Sequence, residues 1–290
     1  MRFLLFFAFI SLNIIASSAS AGLFDNVQNL TNPDSKESKI FSGASLVLSS
    51  SKEIDYPTER TIGESLALEG LQRFGNPVKN EPLQQYVNLV GTAVASNSKR
   101  ATIPYQFAVL DSPVQNAFAV PGGVIFISRA LVAILDNEAE LAAVLAHEIG
   151  HISAKHALKT IQRAQLLQGA GAITAASIGG DKGKKYAATI SGLQSALFDK
   201  GLDKEMEFEA DLAAMESSYR SGYDPSAMIK VLEKLQKLEV SSKDKKGSWF
   251  STHPPLAERI ERLKVQLGKY PGYASMASVR ERFVKQTKAK

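Results

Sequence analysis

An α+β domain, mainly helical with one small antiparallel sheet, is the fold class that this sequence predicts. Three observations carry the expectation. Apolar residues recur at helical spacing through most of the chain, β-branched and aromatic residues gather only in "YQFAVLDSPVQNAFAVPGGVIFISRA", and no internal repeat suggests stacked units. With 290 residues, 44% of them hydrophobic and 22% charged, the chain can bury a sizeable core and lacks the composition of a disordered protein.

The elements follow in order. Arg2 precedes the apolar run "FLLFFAFISLNIIA", and Ala19-Ser20-Ala21 has the form of a signal-peptidase site, so residues 1–21 read as a cleaved signal peptide and the mature protein as exported. The run is short for a membrane span and is interrupted by Asn13, so no transmembrane segment is expected after cleavage. Residues 22–55, rich in Ser, Asn and Lys, read as an irregular arm. Pro57 and Thr58 open a helix with apolar positions at Ile62, Leu66 and Phe74; a second carries Tyr86, Val87, Val90 and Val94, and the two are expected to pack together. Strands are expected near 105–110, 116–120 and 124–128, separated by Asp111-Ser112-Pro113 and Pro121-Gly122-Gly123. Asn137, with Glu140 three residues on, forms a capping box for a helix that should run past His156.

Residues 163–199 are rich in Gly and Ala and too broken for a membrane helix; a buried hairpin or flap is expected there. Three further helices follow, "DKEMEFEADLAAMESSYR", "DPSAMIKVLEKLQKL" and one carrying Leu256, Ile260, Leu263 and Leu267. The folded domain is thus 56–270, and 271–290 reads as a basic, solvated tail rather than a nucleic-acid surface, in keeping with a net charge of only +5. The chain has no cysteine, which removes disulfides and thiolate metal sites.

The chemistry gathers in "AAVLAHEIGHISAKH", where His147, Glu148 and His151 form an H-E-x-x-H pattern. Four residues along a helix turn about 400°, so the two histidines share one face and can share one ion, while Glu148, about 100° on, is placed to act as a general base. Imidazole ligands favour zinc over magnesium or calcium. The apolar residues around the motif bury it, and buried histidines and a glutamate without partners would be costly. An extended H-E-x-x-H-x-x-G-x-x-H site is excluded because positions 154 and 157 are both alanine. His156, about 140° beyond His151 on a continuous helix, should point elsewhere.

The third ligand is expected from "EMEFEAD". Helical spacing separates Glu207 and Asp211 from Glu205 and Glu209; the first row continues to Ala214 and Ser218, which allow close helix contact, and the second to Glu216, which suits water. Glu207 is therefore the expected ligand, with Asp211 orienting a ligand histidine. His253, in "WFSTHPPLAERI", precedes two prolines that stiffen the chain and follows a Gly- and Lys-rich stem; it is expected to face the metal, stabilising an oxyanion or blocking the water position.

"LAAVLAHEIGHISAKH", "EFEAD", "STHPPLAERI" and "NAFAVPGG" together resemble the HtpX and CAAX-prenyl-protease family of zinc metallopeptidases, of gluzincin type, over about residues 56 to 267, and within it the exported, BepA-like periplasmic branch. The resemblance implies a zincin-type fold, one zinc on His147, His151 and Glu207, catalytic Glu148, an acidic Asp211 beyond the third ligand, and peptide-bond hydrolysis in envelope-protein quality control. Extended or unfolded polypeptides, outer-membrane proteins among them, are the implied partners. Asp203-Lys204 stands where the family often has Ser-Arg, which puts any fixed role of that charge in doubt. The rival reading is a chaperone-like binding protein in which His253 completes a closed zinc site.

Overall fold

A computed structural model describes residues 54–163, 198, 201–241, 248–253 and 255–288. The signal peptide, nearly all of the arm, most of the Gly- and Ala-rich stretch, most of "SSKDKKGS" and Pro254 lie outside the described residues.

Helix α1 (Tyr56–Phe74) starts where the Asp55 side chain accepts from the Thr58 N–H, has Pro57 in its first turn and stops at Gly75, whose φ of 99° only glycine adopts freely. Helix α2 (Glu81–Ala95) is capped in the same way by Asn80. Strands β1 (Gln106–Leu110), β2 (Ala117–Val120) and β3 (Val124–Ser128) form one sheet in the order β1-β3-β2.

The sheet corrects the antiparallel expectation, because it is mixed. β2 and β3 form an antiparallel hairpin, with Phe118 opposite Phe126, but β1 runs parallel to β3, with Phe107 opposite Ile125. The chain reverses after β1 and again at Pro121-Gly122-Gly123, so β1 and β3 share a direction, and β3 takes the central place. Turn residues announce reversals but not which strand pairs with the middle one's second edge.

A second correction concerns α1 and α2, which lie on opposite faces of the sheet rather than against each other. Phe107, Val109, Ile125 and Ile127 join the α2 side chains in the larger core, whereas Leu110, Phe118, Val124 and Phe126 join Ile62 and Leu66 of α1 in a smaller one. Alternation along the strands sends successive side chains to the two faces, so both helices are amphipathic for separate reasons.

Helix α3 (Arg129–Ile134) leads into α4 (Glu138–Ser153), which carries the H-E-x-x-H pattern. Asn137 accepts from the Glu140 N–H and Glu140 reaches back to the Asp136 N–H at 2.8 Å, a capping box displaced by one residue. Contrary to expectation, α4 stops at Ser153. Lys155 takes a left-handed φ of 53°, its N–H bonds the Ile152 carbonyl, and Arg100 bonds that same carbonyl, so the end of the helix is satisfied before a new helical run covers residues 156–163.

Helices α5 (Lys204–Arg220), α6 (Ala227–Ser241), α7 (Trp249–Thr252), α8 (Leu256–Gln266) and α9 (Arg280–Thr287) complete the described fold. α4 and α5 approach closely at Gly150, where a Cβ would lie 3.1 Å from the Ala210 backbone. Most described residues of the expected solvated tail are exposed, but Phe283 is fully buried in the larger core and Arg282 binds the buried Glu138 carboxylate. No helix among the described residues is long and apolar enough to cross a membrane.

Candidate active site

The H-E-x-x-H residues face α5 and the loop after α7. His147 and His151 stand one turn apart with their Nε2 atoms 3.0 Å from each other. Glu207 of α5 brings Oε2 to 3.4 Å from His147 Nε2 and Oε1 to 3.6 Å from His151 Nε2. His253, just past α7, offers a fourth nitrogen, and one donor atom from each of these four buried residues lies within 4.8 Å of all the others. The two rows of α5 divide as helical spacing requires: Glu207, Asp211, Ala214 and Ser218 are buried, while Glu205 and Glu216 meet solvent.

The donor set fits a metal ion on the structure's own terms. Two imidazole nitrogens face each other at a distance that needs a proton or a cation between them, and neither oxygen of Glu207 has a hydrogen bond although Arg259 Nη1 stands 3.0 Å away. His147 Nδ1 lies 3.0 Å from Asp211 Oδ1. Burial opposes a charge on His147, yet Asp211 and Glu207 outweigh it and push the ring up to about 9. The pocket thus demands positive charge, which a divalent ion would supply in place of that proton. Nitrogen and carboxylate donors without sulfur suit zinc.

Glu148 is fully enclosed, and burial, with Glu207 adding to it, raises its carboxyl to about 7 against the opposing pull of His147, Arg259 and a backbone hydrogen bond from Ala119. Its Oε1 has no hydrogen-bond partner and lies 3.7 Å from His253 Nε2. Burial, with His147 and Arg259 beside it, holds the His253 ring well below its ordinary value. Glu148, His151 and His253 line an open cleft whose walls also include Phe118, Val120, Ile152, Leu158 and Phe198.

Two participants escaped the sequence reading. Arg259 is buried, donates twice to Asp211 at 2.7 Å and reaches the His253 carbonyl at 2.6 Å. Its position three after Leu256 and four before Leu263 puts it on the apolar face of α8, a signal that was available. His156 was expected to point away, but the turn at Ala154 and Lys155 brings it back, with Nδ1 2.8 Å from His151 Nδ1 and Nε2 3.2 Å from Glu209 Oε2. Nothing in the sequence marks that turn, since neither residue is glycine. Lys204 is exposed and meets Glu258.

Comparison with known proteins agrees with this geometry. The chain is 34% identical over 173 residues to the beta-barrel assembly-enhancing protease of Yersinia pestis and 33% identical over 169 residues to that of Escherichia coli K12; each alignment covers 56% of this chain and 35% of the relative. The metalloprotease LoiP of Escherichia coli K12 is 32% identical over 162 residues, 56% of this chain and 62% of LoiP. The chain therefore spans about a third of the length of the beta-barrel assembly-enhancing proteases it matches. Residues 81–266, from the start of α2 to the end of α8, match peptidase family M48, and because that stretch contains every residue that converges on the buried centre, the chain belongs to peptidase family M48.

Proposed function

We propose that this chain is a zinc-dependent metalloendopeptidase that hydrolyses peptide bonds in extended or unfolded polypeptides, in quality control of cell-envelope proteins. One observation carries the reading: a buried glutamate directly follows a histidine in a group of four residues able to hold one metal ion, and it borders an open cleft. A zinc ion held by His147, His151 and Glu207 would supply the Lewis acidity that polarises a scissile carbonyl and makes water a nucleophile near neutral pH. Glu148 takes the proton of the attacking water and returns it to the leaving amine. Asp211 engages His147 Nδ1 and leaves Nε2 for the metal, while Arg259 holds Asp211 in place.

Among the described strands β2 is an edge, so an extended substrate can add to it as a further strand, read through its backbone more than its side chains. That mode suits unfolded proteins. Relatives that are beta-barrel assembly-enhancing proteases favour outer-membrane proteins as substrates, and the N-terminal export signature favours the periplasm.

The position of His253 among the four donor residues supports a second reading, a latent or chaperone-like protein with a closed metal site. One experiment separates them: the mature protein and its His253→Ala variant are incubated with a denatured polypeptide, with and without chelator. Hydrolysis by either protein that chelator stops supports the peptidase, and greater hydrolysis by the variant assigns His253 a blocking role. No hydrolysis by either zinc-loaded protein supports the closed-site reading.

A further inference from the structure

We infer that His156 and Glu209 are a positioning pair that fixes the tautomer of His151 and thereby the affinity of the centre for zinc; the inference rests on the reading of His151 as a metal ligand. Glu209 Oε2 lies 3.2 Å from His156 Nε2, and a carboxylate only accepts, so His156 carries its hydrogen on Nε2. A neutral ring then has a lone pair on Nδ1. That atom lies 2.8 Å from His151 Nδ1, where one of the two nitrogens must donate, so the hydrogen is on His151 Nδ1. His151 Nε2 is left with its lone pair, facing His147 Nε2 across 3.0 Å.

The reverse arrangement is unfavourable at two places. It would set two lone pairs against each other at Nδ1 and point an N–H into the space the metal needs. Asp211 does the corresponding work for His147 from the other side, so each histidine of α4 is oriented by a chain that ends in a carboxylate of α5. The pair differs from mere filling of space, because the Glu209 side chain is half exposed and its truncation leaves the core intact.

The test reads both the hydrogen and the metal. In the zinc-loaded protein, long-range proton–nitrogen NMR of the histidine rings should show His156 with hydrogen on Nε2 and none on Nδ1; hydrogen on His156 Nδ1 would overturn the inference. Competition against a fluorescent zinc chelator should show Glu209→Ala binding zinc about 10- to 100-fold more weakly than wild type, with His156→Ala at least as weak. Unchanged zinc affinity in Glu209→Ala, whose fold circular dichroism shows to be intact, would overturn it as well. Wild-type protein that takes up no zinc would defeat the ligand reading itself, an outcome distinct from a zinc-binding protein indifferent to Glu209.

Discussion

Arg259 shows how much of the centre depends on one side chain. It is buried, pairs through two nitrogens with Asp211, stands beside Glu207 and bonds the His253 carbonyl, so it links the third proposed ligand, the proposed orienting acid and the fourth donor. Removing it strands buried carboxylates, and Arg259→Met is expected to cost about 3–5 kcal/mol in chemical denaturation. Arg259→Lys should recover little, because an ammonium cannot make the two-nitrogen contact; a wild-type midpoint in either variant would contradict this. At this scale legibility followed distance along the chain. His147, Glu148 and His151 declare themselves within one turn, and Glu207 with Asp211 could be picked by helical rows. His156 could not, because its placement depends on a left-handed Lys155 that no residue type announces.

The helix that carries the pattern is held at both ends by parts of the chain distant in sequence. The carbonyls of Ser278 and Val279 accept the first N–H groups of α4, and Glu138 accepts from Tyr86, Tyr223 and Arg282. Burial would raise the Glu138 carboxyl, but Arg282 first and then the two tyrosines outweigh it and hold it below its ordinary 4.5. A depressed carboxylate stabilises the fold above its unfolded value and loses that contribution as pH falls through the lower folded value. Arg282→Ala should therefore lower stability at pH 7 by about 1 kcal/mol, given the exposure of the arginine, and should flatten the acid-side loss below about pH 4.5. Thermal melts from pH 3 to 7 check it; an unchanged slope would show that the pair is idle. Gly63 of α1 supplies a second test, since a Cβ there would lie 1.7 Å from the Pro121 carbonyl oxygen, a backbone atom of the β2–β3 turn. Gly63→Ala is expected to destabilise by about 1–3 kcal/mol, and wild-type stability would mean that the turn yields freely. Helix caps were legible from short-range residue types such as Asn137 and Glu140, whereas the parallel pairing of β1 was not, because strand order is settled by long-range packing.

For the whole molecule, the family match stops at residue 266, yet the described chain goes on to fold back on the helix that carries the pattern. Phe283 enters the larger core and Arg282 reaches Glu138, which a reading of basic composition as a solvated tail could not foresee. The α+β class and the convergence of α4, α5 and the loop after α7 were legible; how the sheet divides the core into two was not. The central claim is that Glu148 moves the proton while its neighbours hold the metal. It is tested most directly by measuring, on one preparation of Glu148→Gln, both zinc content and hydrolysis of a denatured polypeptide. The account predicts about one zinc per chain, as in wild type, with turnover reduced by at least about 100-fold. Hydrolysis at the wild-type rate, with contaminating protease excluded, would contradict it.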